Sequence, residues 1–291
     1  MTTNTYNTPI AHTNDADFRA WYQALETALI AVGLSLTADT GQVNTATMVR
    51  PATNAYAGYR ILQFNDTLQA TAPIIIKLEP GTGSVATYPS LRISVGVATD
   101  GAGTLTGTLK TATMLCLKST AALISTVNNY PTYVCGIEGY TGVGFKLEAQ
   151  ASSGLGGFHI CRSCDSSGAP TADGVTLYGA VGGNVVAQCL SFSANTVYAA
   201  ANTNYCLVPM SMTSSVVGLD VQAYKHYAPA PRVRCNPFLL TIHAGDVTIG
   251  TNFTQTPIGA TSHNYLSLGT GGGASAGAGG GSNFGLAMVY E

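Results

Sequence analysis

From about residue 45 the chain is written in short runs of β-branched and aromatic residues, each closed off by Gly, Pro, Asn or Asp. Runs of this length with these boundaries are strands rather than helices. They fall at 58–64, 72–79, 91–98, 105–116, 132–137, 145–149, 158–162, 175–180, 185–192, 205–212, 216–224, 233–242, 265–268 and 286–290. So many short strands predict a mainly β chain, an antiparallel β-sandwich of jelly-roll-like type. Alternation in Tyr59-Arg60-Ile61-Leu62-Gln63-Phe64 and in Leu105-Thr106-Gly107-Thr108-Leu109 predicts strands with one solvated face. Thr99-Asp100-Gly101-Ala102-Gly103 predicts a hairpin turn. No period of 20 to 50 residues repeats, which argues against a β-helix or propeller.

One segment breaks the strand pattern. Phe18, Trp21, Tyr22, Leu25, Leu29 and Val32 recur at helical spacing after Asn14 and Asp15, either of which can cap a helix, and Asp15 and Asp17 suit its positive N-terminal end. Gly33 supplies the left-handed stop and Leu34 the apolar residue beyond it. The first dozen residues, rich in Thr and Asn, read as an extended arm. The expected organisation is therefore an arm and helix at 1–36, a first β-sandwich unit at 37–125, and a second β-rich unit at 126–291, continuous with the first or abutting it. Phe18, Trp21, Tyr22, Leu25 and Leu29 form the helix face expected to attach the subunit to its neighbours.

Charge is the compositional anomaly. The 291 residues include 12 Lys or Arg and 14 Asp or Glu, 9% in all, with a formal net charge of -2. A soluble domain ordinarily carries about a quarter of its residues charged. Binding nucleic acid through phosphates needs clustered Lys and Arg, so that class is excluded, as is disorder maintained by charge. No apolar stretch of about 18 residues is present, so no membrane insertion is expected. Nor does the N-terminus read as a secretory signal. Seven cysteines without regular spacing read as mostly buried thiols. Residues 174–219 and 247–290 contain no Asp, Glu, Lys or Arg. Amides and hydroxyls are buried against another subunit at far lower cost than charges. These windows fit an assembly surface; they equally fit an ordinary Thr- and Ser-rich β surface.

Motifs for chemistry are sparse. His159, Cys161 and Cys164 in His159-Ile160-Cys161-Arg162-Ser163-Cys164 form a metal-like cluster, but a tetrahedral site needs a further ligand pair, and Cys189, Cys206 and Cys235 are isolated. Thiols without a metal are the better reading, and no metal or cofactor is expected. The glycine-rich run at 269–282 has neither the Gly-Lys-Ser/Thr nor the following helix of a phosphate loop. Its Gly273-Ala274-Ser275-Ala276-Gly277 lacks the strand-turn-helix setting of a nucleophile elbow. The acids are scattered singly, and His12, His226, His243 and His263 share no motif. Lys225-His226-Tyr227 with Arg232 and Arg234 is too sparse for a phosphate track. Tyr56, Tyr59, Tyr88, Tyr130 and Tyr133 are of the type that stacks on sugars, although tyrosine in a β-sandwich usually packs half-buried.

The run from Asp17 to about Leu109 carries a more specific pattern. The helix Phe18-Arg19-Ala20-Trp21, ending Ala31-Val32-Gly33-Leu34, is followed by Thr37-Ala38-Asp39-Thr40-Gly41-Gln42. Then come Ala57-Gly58-Tyr59-Arg60-Ile61-Leu62-Gln63-Phe64-Asn65-Asp66-Thr67, continuing to Ala72-Pro73, and Thr99-Asp100-Gly101-Ala102-Gly103. Together with the closing Tyr265-Leu266-Ser267-Leu268 and Leu286-Ala287-Met288-Val289-Tyr290-Glu291, this resembles a family of virion structural proteins of tailed bacteriophages, found among tail and tail-fibre components. The resemblance implies a particle component rather than an enzyme, with no catalytic residues. The expected partners are copies of itself in a trimer or ring and other virion proteins. The expected location is the virion, after synthesis in the host cytoplasm. A receptor- or glycan-binding tail module, with a host surface glycan as partner, and a capsid decoration protein are the alternatives.

Overall fold

The computed structural model describes residues 3–10, 12–83, 89–108, 110–116, 130–137, 140–147, 156–164, 170–181, 184–191, 219–225, 232–243, 252–255, 263–267 and 284–289. They form a mostly antiparallel β protein with one helix.

The helix, α1, spans Asp15–Ala31. Asn14 caps it in an extended conformation, its side-chain oxygen accepting from the Asp17 N–H at 2.9 Å, while Asp15 and Asp17 lie in the first turn. At the other end the Val32 N–H donates to the Ala28 carbonyl, and Gly33 turns the chain away at φ +106°, a conformation open chiefly to glycine. Cap, periodicity and stop all fall where the sequence predicts.

The first sheet joins β2 (Leu34–Leu36), β4 (Arg60–Phe64), β5 (Ile75–Thr82), β6 (Pro89–Gly96) and β9 (Lys110–Cys116) in that order, with the short β3 (Ala55–Tyr56) paired to β5. β7 (Ala98–Thr99) and β8 (Leu105–Thr106) form a hairpin closed by the Asp100 N–H to the Thr104 carbonyl at 3.0 Å, as the turn sequence predicts. The run at 105–116 is split, because the chain turns at Gly107 (φ +57°) and passes from the hairpin into the sheet.

The second sheet is ordered β1 (Thr3–Ile10), β10 (Tyr130–Ile137), β11 (Tyr140–Leu147), β12 (Gly156–Cys164), β13 (Pro170–Val181) and β14 (Asn184–Ser191). The third runs β15 (Leu219–Lys225), β16 (Arg232–His243), β19 (Phe284–Val289), β18 (His263–Ser267) and β17 (Asn252–Gln255). The expected arm is extended but is not free: β1 pairs with β10 along its whole length, from Thr3 opposite Ile137 to Ile10 opposite Tyr130. A Thr- and Asn-rich edge strand needs a backbone partner more than an apolar face, so alternation did not reveal it. The predicted strand at 205–212 lies outside the described residues.

The core lies where α1 meets the first and second sheets. Phe18, Trp21, Tyr22, Leu25 and Leu29 pack with Leu62, Phe64, Ile76, Leu78, Leu91 and Ile93 of the first sheet and with Val134 and Ile160 of the second. The solvated face expected for 59–64 is only partial. Ile61 and Leu62 point to opposite sides of β4, and both are fully buried. β5 and β6 are buried along nearly their whole length on both sides. Gly136 of β10 sits against the end of α1, where a Cβ would collide with the Val32 side chain and carbonyl. That close approach fixes the helix end on the second sheet.

Candidate functional site

The helix face singled out from sequence is brought together by the structure, but inside the chain. Phe18, Trp21, Tyr22, Leu25 and Leu29 are each at most 1% exposed and pack on the chain's own strands. In this fold these side chains form part of the chain's own core, and the outward side of α1 carries other residues. There Ala16, Ala20, Thr27 and Ile30 are exposed, flanked by the half-buried Gln23 and Ala24, and none of them is charged.

The absence of charge on that side follows from where the charged groups go. Every Lys and Arg whose side chain is described donates to an acceptor of the same chain. Arg60 makes two bonds to the Glu26 carboxylate, at 2.7 and 2.9 Å, an arrangement that raises the guanidinium's pKa. Arg92 grips Glu79 with two nitrogens and lies 4.2 Å over the Tyr56 ring. Lys77 donates to the Gly103 carbonyl at 2.8 Å, and its ammonium lies 4.6 Å from the Tyr59 ring centre. Arg19 reaches the Met48 carbonyl, and Arg50 the His12 carbonyl.

The sixth cation, Arg162, was not anticipated. Its guanidinium holds both oxygens of Asp66 and donates to the Ala72 carbonyl at 2.6 Å, with only 2% of the residue exposed. Asp66 and Ala72 bracket the connection between β4 and β5, which Gln69 stiffens by bonding both the N–H and the carbonyl of Ile74. A sequence signal existed: Arg162 is in phase with the buried Ile160 on β12, and an arginine on an apolar strand face requires a carboxylate.

The acids with described side chains are occupied in the same way. Asp39 and Asp100 come together where the 37–43 segment meets the β7–β8 hairpin. Partial burial and the Asp100 charge push the Asp39 pKa up, but the Thr37 and Thr99 hydroxyls and the Gly103 N–H outweigh them, leaving it lowered. The Asp100 pKa is lowered by the Thr104 and Ala102 N–H groups. Both carboxylates stay ionised at neutral pH, and neither is poised as a general acid. The Tyr59 hydroxyl donates between the two turns, to the Thr40 carbonyl at 2.6 Å with the Ala102 carbonyl at 3.0 Å. Of the tyrosines considered for sugar stacking, Tyr56 and Tyr59 thus each have a ring face against a cation.

His159, Cys161 and Cys164 all lie on β12, where His159 stands opposite Gly144 and Tyr178, Cys161 opposite Gly142 and Thr176, and Cys164 opposite Pro170 past a register irregularity. Their side chains lie outside the described residues. Among the described residues no group of three His, Cys, Asp or Glu side chains is placed to hold a metal ion, and no helix is long and apolar enough to cross a membrane. The glycine-rich run at 269–282, and most of the charge-free windows 174–219 and 247–290, also lie outside the described residues.

Comparison with known proteins gives no further identification: no family model, no curated protein and no solved structure matches the chain.

Proposed function

We propose that the chain is a structural component of a tailed-phage virion, associated with the tail, fibre or baseplate, that acts by subunit–subunit assembly into a homo-oligomer. The observation that carries this reading is the inward use of charge. Exposed, unpaired charges keep soluble proteins apart, and a protein short of them is prone to associate. In this chain the few cations with described side chains are tied to carboxylates, carbonyls and rings of the same subunit. Among the described residues, the outward side of α1 is a neutral surface of small apolar groups, hydroxyls and amides, suited to being covered by a copy of the chain. The pattern at 17–109, with its likeness to tail-associated virion proteins, supplies the biological setting. In this reading the three sheets are layers of a jelly-roll-like β-sandwich, and the neutral surface closes a trimer or ring.

The test joins two measurements. Light scattering on the purified chain is expected to give a multiple of the chain mass, and mass spectrometry of purified particles is expected to find the chain. A stable monomer that is absent from particles would overturn the proposal.

A further inference from the structure

We propose that His12 is an acid-sensitive latch that holds strand β1 to the rest of the fold, and that its protonation releases β1 from β10. His12 lies between the end of β1 at Ile10 and the start of α1 at Asp15, and only 1% of it is exposed. Its ring stands edge-on to Phe18, with centroids 5.3 Å apart. The hydrogen-bond network assigns its tautomer. Nε2 lies 3.2 Å from the Thr82 hydroxyl, which already donates its own proton to the Pro51 carbonyl at 2.8 Å. Thr82 must therefore accept from Nε2–H, which leaves the ring lone pair on Nδ1. Nδ1 is buried without a hydrogen-bond partner among the described residues.

A second ring proton would thus sit on Nδ1 with no acceptor, out of contact with water. The charged groups around the site do not help it. Arg50, from the segment before β3, donates to the His12 carbonyl at 2.7 Å, and Asp15, on α1, is turned to the Arg50 N–H at 3.0 Å. β5 presents the neutral Thr82, and β1 contains no Asp, Glu, Lys, Arg or His. Burial first, and Arg50 second, lower the imidazole pKa from 6.5 to about 4. Acid therefore favours expulsion of the ring.

β1 is the element next to the ring, with only Ala11 between Ile10 and His12, and it lies at the edge of its sheet. Among the described strands it is hydrogen-bonded to β10, and α1 packs beside it. A released β1 uncovers the backbone edge of β10, to which a strand of another chain can add. The latch stands whether or not the protein is a particle component.

Hydrogen exchange of the full chain, followed by mass spectrometry and corrected for intrinsic rates, tests it. Between pH 6.5 and 4 the protection of residues 3–10 is expected to fall at least about tenfold while that of β5 persists. His12→Gln, which keeps a donor for Thr82 and cannot take a charge, is expected to abolish the fall. Protection of β1 that is independent of pH, loss of β1 and β5 together, or an unchanged fall in His12→Gln would each overturn the latch. An NMR titration of the His12 ring in the unaltered protein needs no variant: a midpoint about 4 agrees, and one near 6.5 refutes it.

Discussion

Arg162 and Asp66, 96 positions apart in the sequence, form a two-pronged ion pair that ties the second sheet to the β4–β5 connection of the first. The geometry answers the three demands on a buried guanidinium: a carboxylate, a further acceptor in the Ala72 carbonyl, and an aromatic neighbour in Phe64, 5.5 Å away.

Removing one partner leaves the other without its counter-charge. Arg162→Ala is expected to cost about 3–5 kcal/mol in denaturant unfolding. Replacing both residues together, Arg162→Met with Asp66→Leu, is expected to recover much of that loss, because two apolar groups leave no charge behind. A double variant no more stable than Arg162→Ala would show that the pair acts through its geometry rather than its charges.

Acid should weaken the fold through His12. Between pH 6.5 and about 4 the unfolded chain binds a proton that the folded imidazole refuses, so the stability present above pH 6.5 is lost as pH falls toward the folded value. The largest contribution, with β1 still docked, is about 3 kcal/mol. Denaturant midpoints of the wild type and His12→Gln across this range are expected to differ in slope, with the variant flatter.

The two sides of α1 should respond differently to substitution. Trp21→Ala opens the core and is expected to cost about 3–5 kcal/mol. Ala20→Lys and Thr27→Lys, on the exposed side, are expected to change stability by less than about 0.5 kcal/mol. If the proposed assembly covers this face, the lysine variants lower the oligomer mass in light scattering at unchanged thermal stability. An unchanged mass would remove α1 from the interface.

Gly136→Val tests the seat of the helix end. The added side chain collides with Val32, and a loss of about 1–3 kcal/mol is expected, with the disturbance centred on 28–33 and 133–137 in hydrogen exchange.

What could be read from sequence depended on whether the physics was local. The helix was legible because its cap, its apolar stripe and its glycine stop all lie within about twenty residues of one another. The strands at 60–64, 75–82 and 89–96 were legible as apolar runs, though their covering on both sides was not, since that depends on distant packing. The outcome for Phe18, Trp21 and Tyr22 is instructive: an apolar helix stripe predicts burial without saying what buries it, and here the chain's own strands do. Arg162 with Asp66, and His12 with Thr82, involve partners 96 and 70 positions away, so each residue alone looked ordinary. β1 escaped notice because its stabilisation comes from backbone bonds to residues 130–137.

The pairing of β1 with β10 also imposes an order of events on the growing chain. Thr3 is made long before Ile137, its partner across the ladder. At ordinary synthesis rates of about 5–20 residues per second, the first strand waits roughly ten seconds for its complement. During that interval α1 and the strands of the first sheet can fold, but the N-terminal segment has no register to enter. A polar, uncharged segment with little apolar surface tolerates such a delay better than a sticky one, and Thr3–Ile10 is Thr-Asn-Thr-Tyr-Asn-Thr-Pro-Ile. The Thr- and Asn-rich composition of β1 thus also serves a chain that must remain soluble before it is complete.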